Sequence, residues 1–72
     1  MTAATYQGQR LIKLSAVEAL FGHKKTWIYT QIKLGNIPAP KRLSSRDVFW
    51  DEAEVIAAKD RLFEQAPTAT YR

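Results

Sequence analysis

Apolar residues recur at helical spacing in three short stretches of this 72-residue chain. In the first stretch, an apolar stripe runs from Val17 to Phe21, and Gly22 follows as a residue that readily takes a positive φ. Ser15 and Glu18 have the spacing of a capping box at the start of this stretch. The pattern therefore predicts a first helix that is capped by Ser15 and ends at Gly22.

A second helix is predicted from Lys24 to Leu34, with Gly35 as its stop. At about 100° per residue, Ile28 and Ile32 point to one side of this helix. The other side carries cations, hydroxyls and an aromatic ring within an arc of roughly 140°: Lys25, Thr26, Tyr29, Thr30 and Lys33. One side is suited to packing, and the other presents groups that contact phosphates and base edges when a helix lies in a DNA groove.

A β-hairpin is predicted after the second helix, which two prolines prevent from continuing. Two short extended stretches, Lys41–Leu43 and Val48–Trp50, flank a polar Ser-Ser-Arg turn. Strand alternation places the first and third residues of the second stretch on one face, so Trp50 is expected to be buried. Leu43 is expected to pack with that face, while Arg42 and Arg46 point outward. Phe49 is expected on the other face.

A third helix is predicted after Asp51, which forms a second capping box with Glu54. Its inward stripe contains Val55, Ala58 and Leu62. The elements follow the order short strand, helix, tight turn, helix, hairpin and helix, which is typical of a winged helix-turn-helix. The predicted fold class is therefore α+β, mostly helical, with three helices and a small β-hairpin as the wing.

The predicted domain spans residues 10–64, because a chain of this length supports one small core. Its first residues, Arg10–Leu14, are too few for a helix and predict a short extended stretch. Residues 1–9 and 65–72 show no apolar period and are expected to be flexible tails.

Charge is divided along the chain, whose net charge is +4. Residues 10–46 contain eight cations against one acid, and residues 47–64 contain six acids against two cations. A solvated surface with uneven charge is one explanation, but the basic part overlaps the second helix, which favours a polyanionic partner. Lys24 and Lys25 stand where the helix dipole favours acids, a cost that a bound phosphate would reverse.

An ordered set of residues extends over most of the chain: Leu14, Val17, Gly22, Thr26, Ile28, Tyr29, Ile32, Lys33, Gly35, Pro38, Lys41, Arg42, Leu43, Arg46, Val48 and Trp50–Val55. With this order and spacing, the stretch Arg10–Leu62 resembles the AlpA family of phage regulators and the related small prophage excisionases. The resemblance implies a MerR-like winged-helix fold whose second helix enters the major groove of DNA. It also implies that the segment around Arg42 and Arg46 acts as the wing.

The chain departs from the family pattern at several of these contact positions. Family members often have a serine at the position of Lys24, arginine at Thr30 and at Phe49, and two glycines at Ser44 and Ser45. The missing cation at Thr30 indicates a different target sequence. Phe49 is suited to a contact between protomers rather than to a phosphate.

Several function classes are not expected from this sequence. It has no cysteine and a single histidine, His23, so neither a metal site nor a cofactor is expected. No serine has a base partner and no glycine-rich phosphate loop is present, so the protein is not expected to be an enzyme or to bind a small molecule. No apolar run reaches the length of a membrane span and no signal-peptide core is found, which predicts a cytoplasmic protein.

The sequence therefore predicts a protein of a phage or integrated element that binds double-stranded DNA in a sequence-specific way, as a transcriptional regulator, as an excisionase that assists an integrase, or as both. Further copies on adjacent sites are expected, because one small domain buries little surface. The predicted DNA contacts are Lys24, Lys25, Thr26, Tyr29, Thr30, Lys33, Arg42, Ser44, Ser45 and Arg46. The alternative is a protein-interaction module that inhibits a host regulator or polymerase through Trp27, Phe49 and the acidic third helix.

Overall fold

The computed structural model describes residues 10–70 of the chain. Its elements are β1 (Leu11–Ile12), α1 (Leu14–Phe21), α2 (Lys25–Lys33), β2 (Lys41–Arg42), β3 (Val48–Asp51) and α3 (Glu52–Gln65). This arrangement confirms the expected fold class, α+β and mostly helical, with three helices and a hairpin among the described residues. The predicted tail at residues 1–9 lies outside the described residues.

The three strands form one small antiparallel sheet in the order β1-β3-β2. Ile12 lies opposite Trp50, and Arg42 lies opposite Val48. The pairing of β2 with β3 confirms the predicted hairpin. The pairing of β1 with β3 adds a strand from the N-terminal end of the domain. Because β1 leads directly into α1, this pairing connects the hairpin to the helices through β3, the central strand of the sheet.

A small apolar core lies between the sheet and the three helices of the described chain. Its main side chains are between 0% and 7% exposed: Ile12, Val17, Ile28, Ile37, Trp50 and Val55. Burial of Trp50 confirms the prediction, and its indole Nε1–H donates to the carbonyl oxygen of Pro38 at 2.9 Å. Ile37, from the loop after α2, is also buried, although the helical and strand patterns do not include it.

Leu43 does not pack beside Trp50 as expected, because it is 61% exposed. The register gives the reason, since residues directly opposite one another share a face of the sheet. Lys41 lies opposite Phe49, so Leu43, two positions after Lys41, continues the same outer face. The expected outward direction of Arg42 is also wrong, because Arg42 lies opposite Val48 and shares the inner face with Trp50, although its side chain is exposed.

The predicted cap of α1 is wrong. The helix begins at Leu14 after Lys13, which adopts an extended conformation, so Ser15 lies inside the first turn and makes no cap bond. The backbone carbonyl of Lys13 accepts hydrogen bonds from the N–H groups of Ala16 and Val17 at 3.0 and 3.2 Å. Leu14 packs against the core, and this contact accounts for a helix that starts earlier than the capping residues predict.

The cap of α3 agrees in part with the prediction. The Asp51 carboxylate accepts a hydrogen bond from the backbone N–H of Ala53 at 2.9 Å. Within residues 10–70, no bond from the Glu54 side chain completes the expected capping box. The cap therefore consists of a single hydrogen bond, which the side chain of Asp51, the last residue of β3, accepts.

Glycines end the first two helices, as predicted. Gly22 has φ of +70° after α1, and Gly35 has φ of +83° after α2. At the second of these ends, the N–H groups of Gly35 and Asn36 donate to the carbonyls of Ile32 and Gln31 at 3.0 and 2.9 Å. This is the Schellman pattern, and it turns the chain sharply toward the hairpin.

Candidate nucleic-acid interface

The exposed side of α2 forms a surface depression of about 330 Å³. The depression is lined by the five residues that the helical period places together: Lys25, Thr26, Tyr29, Thr30 and Lys33. All five are exposed, whereas Ile28 on the opposite side of the helix is fully buried. The geometry therefore gives α2 one face in the core and one face with two ammonium groups, three hydroxyl groups and an aromatic ring.

Tyr29 connects this face to the hairpin. Its ring contacts the indole of Trp50 edge-on, with centroids 6.4 Å apart and an interplanar angle of 61°. Tyr29 is nevertheless 37% exposed, so the ring is held by the core while part of it remains on the surface. An aromatic pair of this geometry limits the positions that the ring can take.

The two threonines of the α2 face are not equivalent. The hydroxyl of Thr30 donates to the backbone carbonyl of Thr26 at 2.9 Å, one helical turn earlier. The hydroxyl of Thr26 has no hydrogen-bond partner among residues 10–70. Thr26 thus keeps a free donor on the surface, and Thr30 does not.

Lysines occupy both ends of α2. Lys24 is the N-cap residue, its side chain makes no cap bond, and the first turn contains no acidic residue. Since the first N–H groups of a helix have no partner within it, this end combines free donors with cationic side chains. Lys33 lies in the last turn, where a cation matches the helix dipole. Lys24 borders a separate hollow with Glu18 and Gly22, so it is set apart from the five-residue depression.

The hairpin loop is organised by hydrogen bonds of its own. The Ser44 hydroxyl donates to the Asp47 carboxylate at 3.1 Å and accepts from the Asp47 backbone N–H at 3.2 Å. The Arg42 guanidinium donates to the carbonyl of Ser45 at 3.2 Å. Ser44 is thus occupied within the loop, whereas Arg46 is exposed and has no ion pair in the described part of the chain.

The register of the sheet gives Arg42 and Lys41 opposite directions. Arg42 lies on the face that carries Trp50, which is the face that Tyr29 of α2 contacts. Lys41 lies on the outer face with Phe49. The predicted wing cation at Arg42 is therefore on the same side of the sheet as α2.

Lys13 is not one of the predicted site residues, although its side chain contacts the hairpin. Its ammonium nitrogen lies 5.3 Å from the centroid of the Phe49 ring and 3.8 Å from an Asp47 carboxylate oxygen. Phe49 is half-buried and partly covered by this contact. No local signal identifies the pair, because Lys13 and Phe49 are far apart in the sequence and meet only when β1 joins the sheet.

A second surface feature lies away from the α2 face. It is an apolar groove of about 610 Å³ lined by Leu20, Phe21, His23, Trp27, Lys59, Asp60, Leu62, Phe63 and Ala66. Trp27 is half-buried there, stacked on His23 with ring centroids 3.9 Å apart and tilted against Phe21 at 5.7 Å. Phe63 at the edge of the groove is 83% exposed. Trp27 therefore both packs against the core and contributes to a surface.

The described residues contain neither a cluster of metal ligands nor a membrane-spanning helix. Residues 10–70 contain no group of three or more histidine, cysteine or acidic side chains arranged to hold a metal ion. In the same part of the chain, no helix combines the length and the apolar composition needed to cross a bilayer.

Comparison with protein families gives a match over more than half of the chain. A family model described as "Prophage CP4-57 regulatory protein (AlpA)" matches residues 10–57, which include α1, α2, the sheet and the start of α3. Comparisons with curated proteins and with solved structures gave no significant match. The matched range contains every residue of the α2 face and of the hairpin.

Proposed function

The chain belongs to the AlpA family of prophage regulatory proteins, and from this premise we propose that it binds double-stranded DNA in a sequence-specific way through the exposed face of α2. The observation that carries the proposal is the single depression formed by Lys25, Thr26, Tyr29, Thr30 and Lys33, opposite the buried Ile28. The role is one of binding, and no catalytic step is assigned to the chain.

In this proposal α2 lies in the major groove, whose width admits a helix. Lys25 and Lys33 neutralise phosphates at the two ends of the helix, and Lys24 adds a third cation at its N-terminus. Thr26 and Tyr29, together with Thr30, then lie nearest to the base edges. Phosphate contacts set the position of the helix, and the three central residues read the sequence.

The hairpin serves as the wing beside α2. Arg42 lies on the sheet face that contacts α2, and Arg46 lies in the exposed loop. Both guanidinium groups are suited to bidentate contacts with phosphate. The bonds between Ser44 and Asp47 keep the loop in shape, so binding requires little further ordering of this segment.

One domain of this size buries about 600–1,000 Å² on DNA, which limits the affinity of a single copy. We therefore propose that several copies bind adjacent sites, with bending of the DNA between them. Transcriptional regulation and assistance to an integrase during excision both use this chemistry. A binding site at a promoter supports the first role, and a site beside an integrase attachment region supports the second.

The proposal is tested by fluorescence anisotropy of the full chain with labelled duplex fragments from its own genome, over a series of salt concentrations. Contacts from about five cations to phosphates give a slope of about −4.5 in a plot of log K against log salt. Saturable binding with this slope and a preference among fragments is expected. Absence of binding to any duplex at low salt would overturn the proposal.

A protein-interaction role is the second candidate, and the apolar groove beside Trp27 favours it. A small partner protein would bury the exposed Phe63 ring and the half-buried Trp27. Binding through this groove depends on apolar contacts and responds weakly to salt. A flat salt dependence, with loss of partner binding in a Phe63→Ser variant, would favour this role over DNA binding.

A further inference from the structure

We propose that Thr30 reads a thymine through its methyl group, so that the 5-methyl group of that base contributes to sequence preference. The inference rests on the proposed function, because it requires α2 to lie in the major groove. Thr30 is uncharged, so an ionic contact with a phosphate cannot be its contribution to DNA binding. The carrying observation is the hydrogen bond from the Thr30 hydroxyl to the Thr26 carbonyl.

A threonine hydroxyl has one donor hydrogen and two acceptor sites. At Thr30 the donor is used within the helix, at an oxygen-to-oxygen distance of 2.9 Å. The side chain therefore has no hydrogen left for the acceptors N7 and O6 of guanine or O4 of thymine. The oxygen can still accept a hydrogen bond, but it is directed toward the helix backbone. We therefore assign the contact with a base to the methyl group of Thr30.

Thymine is the one DNA base that presents a methyl group in the major groove. Apolar contact between this group and a small aliphatic side chain is a known form of direct readout. Thr30 is exposed in the middle of the α2 face, with Tyr29 beside it and Lys33 one turn later. A phosphate contact by Lys33 would hold the helix close enough for the two methyl groups to touch.

Thr26 provides an internal comparison on the same face. Its hydroxyl keeps a donor hydrogen, because no residue between 10 and 70 accepts from it. It can therefore donate to a phosphate or base oxygen, which Thr30 in its present conformation cannot do. The two threonines are chemically the same residue, and only the hydrogen bond to the backbone makes their expected roles different.

The test starts with selection of preferred sites for the full chain from a random duplex pool. Each thymine of the selected site is then replaced by deoxyuridine, which removes the methyl group and leaves base pairing intact. Affinities are measured for the wild type and for Thr30→Ser, Thr30→Val and Thr26→Ser. Serine keeps the hydroxyl without the methyl group, and valine keeps a methyl group at that place without the hydroxyl.

We expect one deoxyuridine replacement to weaken wild-type binding about fourfold, as for the loss of one buried methyl group. The same replacement should weaken Thr30→Val and Thr26→Ser to a similar degree and should leave Thr30→Ser nearly unaffected. Equal effects on Thr30→Ser and the wild type would overturn the inference while leaving DNA binding intact. A selected site without a fixed thymine would also overturn it. If the pool yields no bound duplex, the proposed function itself fails.

Discussion

The ring of Tyr29 meets the indole of Trp50 edge-on at 6.4 Å, and this contact joins the exposed face of α2 to the central strand of the sheet. Trp50 is 1% exposed and donates to the Pro38 carbonyl, so it fixes the end of the loop after α2 as well. The position of the α2 face relative to the hairpin is therefore set by a buried residue between them.

Replacement of Tyr29 separates the contribution of its ring to stability from the contribution of its hydroxyl group. Tyr29→Ala removes the edge contact and part of the core cover, so the free energy of unfolding should fall by about 1–2 kcal/mol. Tyr29→Phe keeps the ring, so its stability should stay within about 0.5 kcal/mol of the wild type. Urea denaturation followed by far-ultraviolet circular dichroism measures both. A loss of stability in Tyr29→Phe as large as in Tyr29→Ala would contradict the proposed role of the ring.

Arg42 and Lys41 are adjacent cations on opposite faces of the hairpin. Arg42→Ala should weaken duplex binding at least threefold more than Lys41→Ala, because Arg42 lies on the face that contacts α2. Arg42→Ala removes both the charge and the hydrogen bond from the guanidinium to the Ser45 carbonyl. Arg42→Lys keeps the charge and is therefore the control for the loss of that bond. Anisotropy titrations of the three variants provide the comparison. Equal losses for the two alanine variants would show that the hairpin does not bind with this face.

Gly35 ends α2 with φ of +83°, and apart from Gly35 and its two chain neighbours no residue has an atom within 4 Å of the place where a Cβ would stand. Gly35→Ala should therefore lower stability by about 1 kcal/mol through backbone strain alone, without a steric clash. Gly35→Asn should lower it less, because asparagine tolerates the left-handed region better than alanine does. Thermal unfolding of the two variants tests this order. The reverse order would mean that backbone conformation does not determine the effect.

The order of the helices, the ends of the first two and the residues of the α2 face could be predicted because they depend on local features. The helical period separates Ile28 from Tyr29 and Lys33, and a glycine that takes a positive φ marks the end of each of the first two helices. These signals lie within a few residues of the feature that they determine. For the same reason, the predicted hairpin and the burial of Trp50 agree with the structure.

Features that depend on distant residues could not be read from the sequence. The predicted start of α1 is wrong because β1 pairs with β3 and brings Leu14 into the core. The helix therefore begins before Ser15, which makes no cap bond. The predicted face of Leu43 is wrong because the register of the hairpin, which the sequence does not determine, places Leu43 on the same face as Phe49. The contact of Lys13 with Phe49 follows from the same distant pairing.

Lys33 should contribute to affinity without reading sequence. Lys33→Ala should weaken binding to all duplexes by a similar factor and flatten the salt slope by about one unit, the effect of one phosphate contact. Lys59→Ala is the matched control, because Lys59 lies on α3 and pairs with Asp60 at 3.0 Å. That variant should keep the wild-type slope. A change of slope in Lys59→Ala and none in Lys33→Ala would place the DNA on the other side of the molecule.

Replacement of Lys25 by glutamate should raise the stability of the protein and lower its affinity for duplex DNA. It lies in the first turn of α2, which contains no acidic residue. Lys25→Glu places a negative charge at the positive end of the helix dipole, so the free energy of unfolding should rise by about 0.3–1 kcal/mol. The same change puts a carboxylate against the phosphate backbone, so duplex affinity should fall more than it does in Lys25→Ala. Urea denaturation and anisotropy on one protein preparation measure both quantities.

A misfolded variant loses stability and binding together. A rise in stability with a fall in duplex affinity in Lys25→Glu therefore locates the DNA contact at the N-terminus of α2. A Lys25→Glu variant that binds duplexes as tightly as the wild type would remove this end of the helix from the interface.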